Sequence, residues 1–354
     1  MSSFAKIVDQ PLLLFRADAG PSIGMGHVMR CLGLAQRWQD RGGRAAMVMA
    51  QSNMPVEDRL RGEGVTTHVL GVEAATISDA TATVRTVKET GASWIVADGY
   101  NFDRNWLTEV AASGIPLALW TDYVQSSYLP VSLLLNQNPH ASSVDYADSA
   151  AGATLLLGLH YSVLRREFLQ CSRDLRRKRV QGIGRILVTL GGSDPANATR
   201  KVLLALRIMG KSAPPTTVVI GANNPRLAEL RELAADGEGV ELLYAVEDMP
   251  ALMDTCDLAI SGGGTTLWEL AYMGVPSLAI VLAENQVPLV TALSHSEGGI
   301  DLGWADKLDP HSLARLLMEL IADKARVANM SSSALQLVDG KGADRVCEAL
   351  QTHR

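Results

Sequence analysis

A histidine lies where a predicted strand gives way to a helix through a glycine-rich turn. The turn runs from Arg16 and Asp18 to Gly24, Gly26 and His27. Glycines let a backbone approach a ligand without interference from a Cβ atom. Because a helix N-terminus disfavours an imidazolium, we expect His27 to be neutral near pH 7 and able to take a proton from water. A capping or packing histidine is the alternative, and the absence of G-x-G-x-x-G in this turn argues against a dinucleotide fingerprint.

A run of three glycines is the strongest local signal for phosphate binding. The glycines are Gly262, Gly263 and Gly264, and they are followed by Thr265 and Thr266 at the start of a predicted helix. Backbone N–H groups and the helix dipole favour an anion at such a position. Glu269 comes one turn later, where a carboxylate aimed at a pyrophosphate would be repelled, so we expect it to accept ribose hydroxyls instead. The alternative is a turn whose glycines serve packing alone.

Polar residues at other predicted strand ends are further candidates for ligand contacts. They are Gly191, Gly192, Ser193, Asn285 and Gln286 in the second half of the chain, and Tyr100 in the first half. Tyr100 follows Asp98 at the end of a strand and is expected to act beside His27. For residues 190–195 the alternative is a plain turn in which Asp194 caps the next helix. The other positions have the alternative of ordinary polar loops.

These residues need a scaffold of strands and helices, and the sequence predicts one. Short apolar segments alternate with helical periodicity throughout, which indicates parallel sheets covered by helices on both faces. The predicted fold class is α/β, with two doubly wound Rossmann-like domains facing a cleft. Residues 1–170 are predicted as an N-terminal catalytic domain, residues 171–184 as a linker, and residues 185–354 as a nucleotide-binding domain with terminal helices. The predicted strands comprise residues 11–15, 45–50, 94–97, 116–120, 133–135, 154–157, 186–190, 216–220, 240–244, 258–260 and 277–282.

Composition narrows the classes of partner. A chain of 354 residues has room for two ordinary domains, and a net charge of −6 gives no reason to expect nucleic acid or an anionic membrane as a partner. The four cysteines form no CxxC pair or cluster with zinc-ligand spacing, so we expect core thiols and no metal site. No segment reads as a signal peptide or a membrane span, which predicts a cytoplasmic protein.

Several motifs in combination resemble one known family. They are Arg16 to Asp18, residues 24–27, residues 135–138, residues 191–194, and residues 268–286 with their Trp-Glu-Leu, Gly-Val-Pro and Glu-Asn-Gln segments. Together they resemble the UDP-sugar hydrolases of the pseudaminic acid pathway and the related spore-coat polysaccharide proteins, which are similar to glycosyltransferases of the GT-B fold. Members of that family release UDP from UDP-2,4-diacetamido-2,4,6-trideoxy-β-L-altropyranose. The resemblance implies a functional role for His27, and a nucleotide site at residues 262–266 with Glu269 and at residues 191–193.

Two departures from the family pattern leave the sugar open. The family often has Asp-His-Tyr where this chain has Asp98, Gly99 and Tyr100, and paired aspartates where it has Thr121 and Asp122. The predicted function is hydrolysis of a UDP-linked diacetamido-trideoxy sugar at the anomeric carbon, releasing UDP, in pseudaminic-type acid or surface polysaccharide biosynthesis. The predicted reaction is inverting and needs no metal or cofactor. Association with other enzymes of the sugar pathway is a further expectation. The alternatives are a glycosyltransferase that uses a UDP-sugar donor, a non-catalytic nucleotide-sugar-binding protein, and a UDP-sugar 2-epimerase.

Overall fold

The computed structural model describes residues 10–20, 23–124, 128–171, 182–221, 224–235, 237, 239–244, 246 and 248–353. By its contacts the chain divides into two compact units, which we call the first and the second domain. The first domain comprises the described residues of Met1–Gln137, Ala141–Leu157 and Ala343–Arg354, and the second those of Asn138–His140 and Gly158–Gly342.

This division differs from the predicted domain boundaries. The chain enters the second domain at Gly158, and its last helix returns to the first domain although residues 185–354 were predicted as one unit. Val346, Cys347 and Leu350 of that helix are buried. An amphipathic pattern predicts a helix with a buried face, but it does not say which domain the face covers. Of the predicted linker 171–184, residues 172–181 lie outside the described residues.

The first domain contains a seven-stranded parallel sheet in the order β3-β2-β1-β4-β5-β6-β7. Its strands are β1 (Leu12–Ala17), β2 (Arg44–Met49), β3 (Thr66–Val69), β4 (Trp94–Asp98), β5 (Leu117–Trp120), β6 (Leu133–Asn136) and β7 (Thr154–Leu157). All six residues of β1 are buried, as expected for a central parallel strand with both faces covered. Its first helices are α1 (Gly26–Asp40), α2 (Met54–Gly62), α3 (Ile77–Thr90) and α4 (Arg104–Ala111).

The second domain contains a six-stranded parallel sheet in the order β10-β9-β8-β11-β12-β13. Its strands are β8 (Ile186–Thr189), β9 (Thr216–Ile220), β10 (Val240–Tyr244), β11 (Leu258–Gly262), β12 (Ser277–Val281) and β13 (Gly299–Trp304). Its helices are α5 (Arg166–Leu169), α6 (Ala198–Met209), α7 (Leu227–Ala235), α8 (Met249–Asp254), α9 (Thr266–Met273), α10 (Val287–His295), α11 (Pro310–Ala322) and α12 (Lys324–Leu337). The helix that returns to the first domain is α13 (Gly342–Thr352).

Successive residues of β8 point into two apolar cores. Ile186 and Val188 belong to a core that includes Leu317, whereas Leu187 belongs to a second core that includes Trp268. Helices therefore cover both faces of this sheet, and the predicted fold class of two doubly wound α/β domains is confirmed. None of the described helices combines the length and the hydropathy that crossing a membrane requires.

Each sheet has a point at which the strand order reverses. In the first domain it lies between β1 and β4, and in the second between β8 and β11. Loops at the carboxyl ends of two such strands leave a crevice in which α/β proteins bind ligands. Most predicted site residues follow these four strands. Arg16 and Gly262 lie within β1 and β11, near their carboxyl ends, and Asn285 and Gln286 follow β12.

Candidate functional site

His27 is the second residue of α1 and is 4 % exposed. Its Nδ1 atom lies 2.7 Å from Oδ1 of Asp98, the last residue of β4. A carboxylate is an acceptor only, so this contact assigns the ring proton to Nδ1 and leaves Nε2 as the acceptor. Asp98 thus orients the histidine as a catalytic base would be oriented. The sequence had suggested only the position of His27 at a helix N-terminus.

Asp98 is fully buried and remains ionised. Burial alone would raise the pKa of this carboxyl, but the charge of Arg30 and the His27 ring outweigh it and lower the pKa to about 2. The thiol of Cys31 also donates to Oδ2 of Asp98, at 3.5 Å. Asp98 can therefore stabilise an imidazolium that forms when His27 accepts a proton.

Arg30 lies one helical turn after His27 and joins two carboxylates. Its Nε and Nη2 atoms each lie 2.6 Å from an oxygen of Asp98, and its Nη1 lies 2.9 and 3.1 Å from the oxygens of Asp122. The guanidinium carbon lies 4.9 Å from the centre of the Trp120 ring. A planar guanidinium with five donors suits such a fork, and it fixes the orientation of Asp98.

Tyr100, predicted to act beside His27, lies against it. The two ring centres are 4.4 Å apart at an interplanar angle of 79°, and Tyr123 packs on the other side of Tyr100 at 5.3 Å. Burial and the negative charge of Asp122 raise the pKa of Tyr100 above its usual value, so its hydroxyl is protonated at neutral pH. His27, Asp98 and Tyr100 line the same pocket as Asp18 and Phe102, among other residues.

The first-domain loop separates into residues that line the pocket and residues that support it. Arg16 is wholly buried and holds Asp79 with two hydrogen bonds of 2.9 and 2.5 Å, with Asp18 at 2.7 Å. The prediction that Arg16 contacts the ligand is therefore corrected to a supporting role, because its guanidinium is occupied inside the core. Asp18 lines the pocket and accepts from the Ala50 N–H at 2.7 Å.

Gly24 and Gly26 shape the approach to α1. Gly24 has a φ of +78°, a left-handed conformation that favours glycine, and it exchanges backbone hydrogen bonds with Gly20. Gly26 is the first residue of α1, and a Cβ built on it would meet no atom within 4 Å. The space beside Gly26 is therefore open, as close approach of a ligand would require.

The three consecutive glycines of the second domain have different environments. A Cβ on Gly262 would lie 2.8 Å from Leu282, and one on Gly263 would lie 2.5 Å from Val290. The N–H of Gly263 donates to Ile280 O at 2.9 Å. A Cβ on Gly264 would meet nothing within 4 Å. The first two glycines thus serve packing, and the third leaves the start of α9 accessible.

Three backbone donors at this helix start have no acceptor in the part of the chain that the structure describes. Among the described residues, none accepts from the N–H groups of Gly264, Thr265 or Thr266, and Thr265 does not cap the helix with its side chain. Free N–H groups at a helix N-terminus carry a partial positive charge and bind phosphate readily. The predicted use of these residues for an anion is compatible with this geometry.

Glu269 lies on α9 and has a partner that the sequence did not reveal. Its Oε1 lies 3.1 Å from Nη2 of Arg165, which also contacts Glu167 at 2.9 Å. Burial raises the pKa of Glu269, although Arg165 opposes the change. Arg165 accounts for one oxygen of Glu269, and the other remains the candidate acceptor for ribose hydroxyls.

The turn after β8 contains the residues 191–193 that were predicted to contact a ligand, and also Asp194, which was the alternative helix cap. Gly191 has a φ of +80°, and a Cβ on Gly221 would lie 2.4 Å from the Gly192 carbonyl, so the turn packs closely against the end of β9. Asp194 accepts from Ala198 N and Thr199 N, each at 2.9 Å, and thereby caps α6. The capping alternative is thus confirmed for Asp194, while Ser193 is partly exposed and stays a candidate contact.

Gln286 has a structural role, and its predicted contact with a ligand stays a prediction. Its Oε1 accepts from Leu282 N at 2.9 Å and from Gly263 N at 3.2 Å, so it fastens the glycine turn to the loop after β12. Its carbonyl oxygen is therefore not available to a ligand, and only its NH₂ group could contact one. Asn285 lies beside it in the short 3₁₀ helix Glu284–Gln286.

Sequence reasoning missed Arg30 and Arg165, and it noted Asp98 and Asp122 only as parts of two family motifs, without assigning either a role. The contacts of Arg30 join residues 68 and 92 positions apart, and that of Arg165 joins residues 104 apart. A usable signal existed for two of them, since Asp98 ends a buried strand and Arg30 lies three residues after His27 on one helix face.

Comparison with known proteins places the chain among distant relatives. Residues 186–346 match the glycosyltransferase family 28 C-terminal domain. The chain is 23 % identical over 351 residues to the spore coat polysaccharide biosynthesis protein SpsG of Bacillus subtilis, covering 95 % of this chain and 96 % of SpsG. It is 23 % identical over 288 residues to the UDP-2,4-diacetamido-2,4,6-trideoxy-beta-L-altropyranose hydrolase of Campylobacter jejuni, covering 80 % of this chain and 96 % of the hydrolase.

A solved structure supports the fold assignment. The crystal structure of Acinetobacter baumannii MurG superposes with a TM-score of 0.69 at 15 % identity, covering 97 % of this chain and 99 % of MurG. The predicted GT-B fold is confirmed. The motif resemblance is confirmed as a distant relation to a GT-B group that includes UDP-sugar proteins, and it does not extend to one particular hydrolase.

Proposed function

We propose that the protein is a UDP-sugar-utilising enzyme in which His27 deprotonates the nucleophile that displaces UDP. The observation that carries this proposal is the 2.7 Å contact between His27 Nδ1 and Asp98. It leaves Nε2 as a base, and the pocket that His27 and Tyr100 share gives that base access to a substrate.

The second domain supplies the nucleotide site in this proposal. The N–H groups of Gly264, Thr265 and Thr266 would donate hydrogen bonds to the pyrophosphate, and Glu269 would accept hydrogen bonds from the ribose hydroxyls. Donors that are already oriented stabilise the negative charge that develops on the leaving phosphate. The family 28 C-terminal match includes all four residues.

The chemical step is a single inverting displacement. The nucleophile's oxygen forms a bond to the anomeric carbon while the bond from that carbon to the UDP oxygen breaks, and the electron pair leaves with UDP. The proton of the nucleophile passes to Nε2 of His27, and Asp98 stabilises the resulting imidazolium. A positioned base of this kind contributes roughly 10²–10⁴-fold to the rate.

Two nucleophiles fit the same base. A hydroxyl group of an acceptor would make the protein a glycosyltransferase, which the family 28 match and the GT-B fold favour. Water would make it a hydrolase, which the relation to the Campylobacter jejuni hydrolase favours, with a diacetamido-trideoxy sugar as the substrate class. The glycosyltransferase has the wider support, and polysaccharide biosynthesis, named for SpsG, is the proposed setting for either.

One experiment separates these functions. The protein is incubated with a panel of UDP-sugars, with and without sugar acceptors, and UDP is measured together with the anomeric configuration of the product by NMR. UDP released without acceptor indicates the hydrolase, and UDP released only with acceptor indicates the transferase. Tight binding without turnover would indicate a nucleotide-sugar-binding protein, and a changed sugar still attached to UDP an epimerase; either result would contradict the proposal.

A further inference from the structure

Arg30 occupies an unusual position for a buried cation, because it lies beside the proposed base. It is 7 % exposed, and its Nη2 atom lies 3.3 Å from Nδ1 of His27 as well as 2.6 Å from Asp98 Oδ1. Its Nη1 contacts Asp122, whose side chain is 12 % exposed. One guanidinium from α1 thus links the carboxyl-terminal ends of β4 and β5 to the base.

Several titratable or charged groups face His27 or its partner Asp98. They are Arg30 and Cys31 from α1, Asp98 and Tyr100 from β4 and its loop, Asp122 and Tyr123 after β5, and Asp18 after β1. Burial raises the pKa values of Cys31, Tyr100 and Tyr123, so these three are neutral. Arg30 is the cation of the set, and it offsets one of the two carboxylates that it joins.

We propose that Arg30 is a positioning residue that sets both the orientation and the base strength of His27. Its fork on Asp98 holds Oδ1 toward Nδ1, and its charge limits how strongly the two carboxylates favour the imidazolium. A histidine beside two carboxylates with no compensating cation would stay protonated up to a higher pH. In its protonated form it could not act as a base. The catalytic meaning of this inference rests on the proposed function, but the electrostatic part does not.

The proposal predicts shifts of opposite sign for two variants. Arg30→Met removes the cation, so the midpoint of His27 protonation should rise by roughly one pH unit. Asp122→Asn removes a carboxylate and leaves Arg30 less compensated, so the midpoint should fall, by a smaller amount. A residue that only supports the fold would not produce opposite shifts.

The test is an NMR titration of the His27 imidazole in the full chain, assigned with His27→Gln. It needs no substrate, and with an active substrate the acid limb of the kcat/KM profile should move with the midpoint. Arg30→Lys separates charge from geometry, because lysine keeps the charge and loses the fork. It should leave the midpoint near that of the wild type and still lower kcat. Arg37→Met is the matched control on α1, where Arg37 pairs with Asp344, and should leave the midpoint unchanged.

The outcomes are decisive even if one variant fails to fold. Should Arg30→Met be unstable, the fall in Asp122→Asn and the kcat loss in Arg30→Lys carry the test. A midpoint that does not move in Asp122→Asn, or that moves upward, overturns the inference. Normal activity of a His27 variant would instead overturn the proposed function, while the charge pattern around His27 could still hold.

Discussion

At the residue scale, the candidate site contains hydrogen-bonded side-chain pairs in which one polar atom of the functional residue is bonded and a second stays available. Asp98 accepts a hydrogen bond from the Nδ1–H group of His27, which leaves Nε2 as the acceptor. Arg165 donates a hydrogen bond to Oε1 of Glu269, and Oε2 is the candidate acceptor for a ribose hydroxyl. Buried polar groups need such partners, because an unpaired one costs free energy of desolvation.

The role of Glu269 can be tested with a ligand that lacks one hydroxyl. If Glu269 accepts ribose hydroxyls, UDP should bind the wild type about tenfold more tightly than 2′-deoxy-UDP, which corresponds to about 1.4 kcal/mol. In Glu269→Gln this ratio should shrink toward one. Isothermal titration calorimetry measures both ratios, and Glu319→Gln, an exposed change on α11, should keep the wild-type ratio. An unchanged ratio in Glu269→Gln would show that the carboxylate contacts no 2′-hydroxyl.

At the element scale, the glycine turn combines a packed part and an open part. Gly263 lies against Val290, whereas Gly264 borders open space at the start of α9. Adjacent glycines therefore have separate reasons for lacking a side chain, and substitution should affect them differently.

Gly264→Ala should weaken UDP binding about tenfold and leave the melting temperature unchanged, because its Cβ fills only the space that a phosphate would use. Gly263→Ala should instead destabilise the second domain by about 1–3 kcal/mol, since its Cβ would lie 2.5 Å from Val290 Cγ2. Calorimetric titration with UDP and thermal unfolding distinguish the two effects. Equal UDP affinity in wild type and Gly264→Ala would remove the case for a phosphate at this helix.

The sequence predicted the central strands and two of the four edge strands, β7 and β10, but it missed the edge strands β3 and β13. Central strands such as β1 and β11 are continuous buried runs, so composition alone reveals them. The missed strands β3 and β13 are partly exposed and contain polar residues such as His68 and Asp301, whereas β7 and β10 keep short apolar runs. Glycine-rich turns revealed where the site lies, but the contacts of Arg30 and Arg165 depend on the folded topology.

At the scale of the whole molecule, the chain ends in the domain in which it begins. α13 docks on α1 through Arg37 and Asp344, which lie 2.6 Å apart. The ring of His353, just after the helix, lies 5.6 Å from that of Trp94. The C-terminal helix thus packs on the first domain and contributes to its stability, although it follows the second domain in sequence.

This assignment predicts which domain responds to damage in α13. Leu350 is 2 % exposed, so Leu350→Ala should cost about 2–5 kcal/mol. Hydrogen exchange measured by mass spectrometry should increase in α1 and leave α9 unchanged. Gln351→Ala, an exposed change on the same helix, is the control. Faster exchange confined to the second domain would contradict the assignment.

The most direct test of the account measures UDP release and UDP affinity together in His27→Gln. Because the proposed base lies in the first domain and the proposed nucleotide site in the second, the rate should fall roughly 10²–10⁴-fold while the Kd for UDP stays at its wild-type value. His295→Gln, an exposed change on α10, should alter neither quantity. A near-normal rate in His27→Gln would contradict the central claim that His27 is the base.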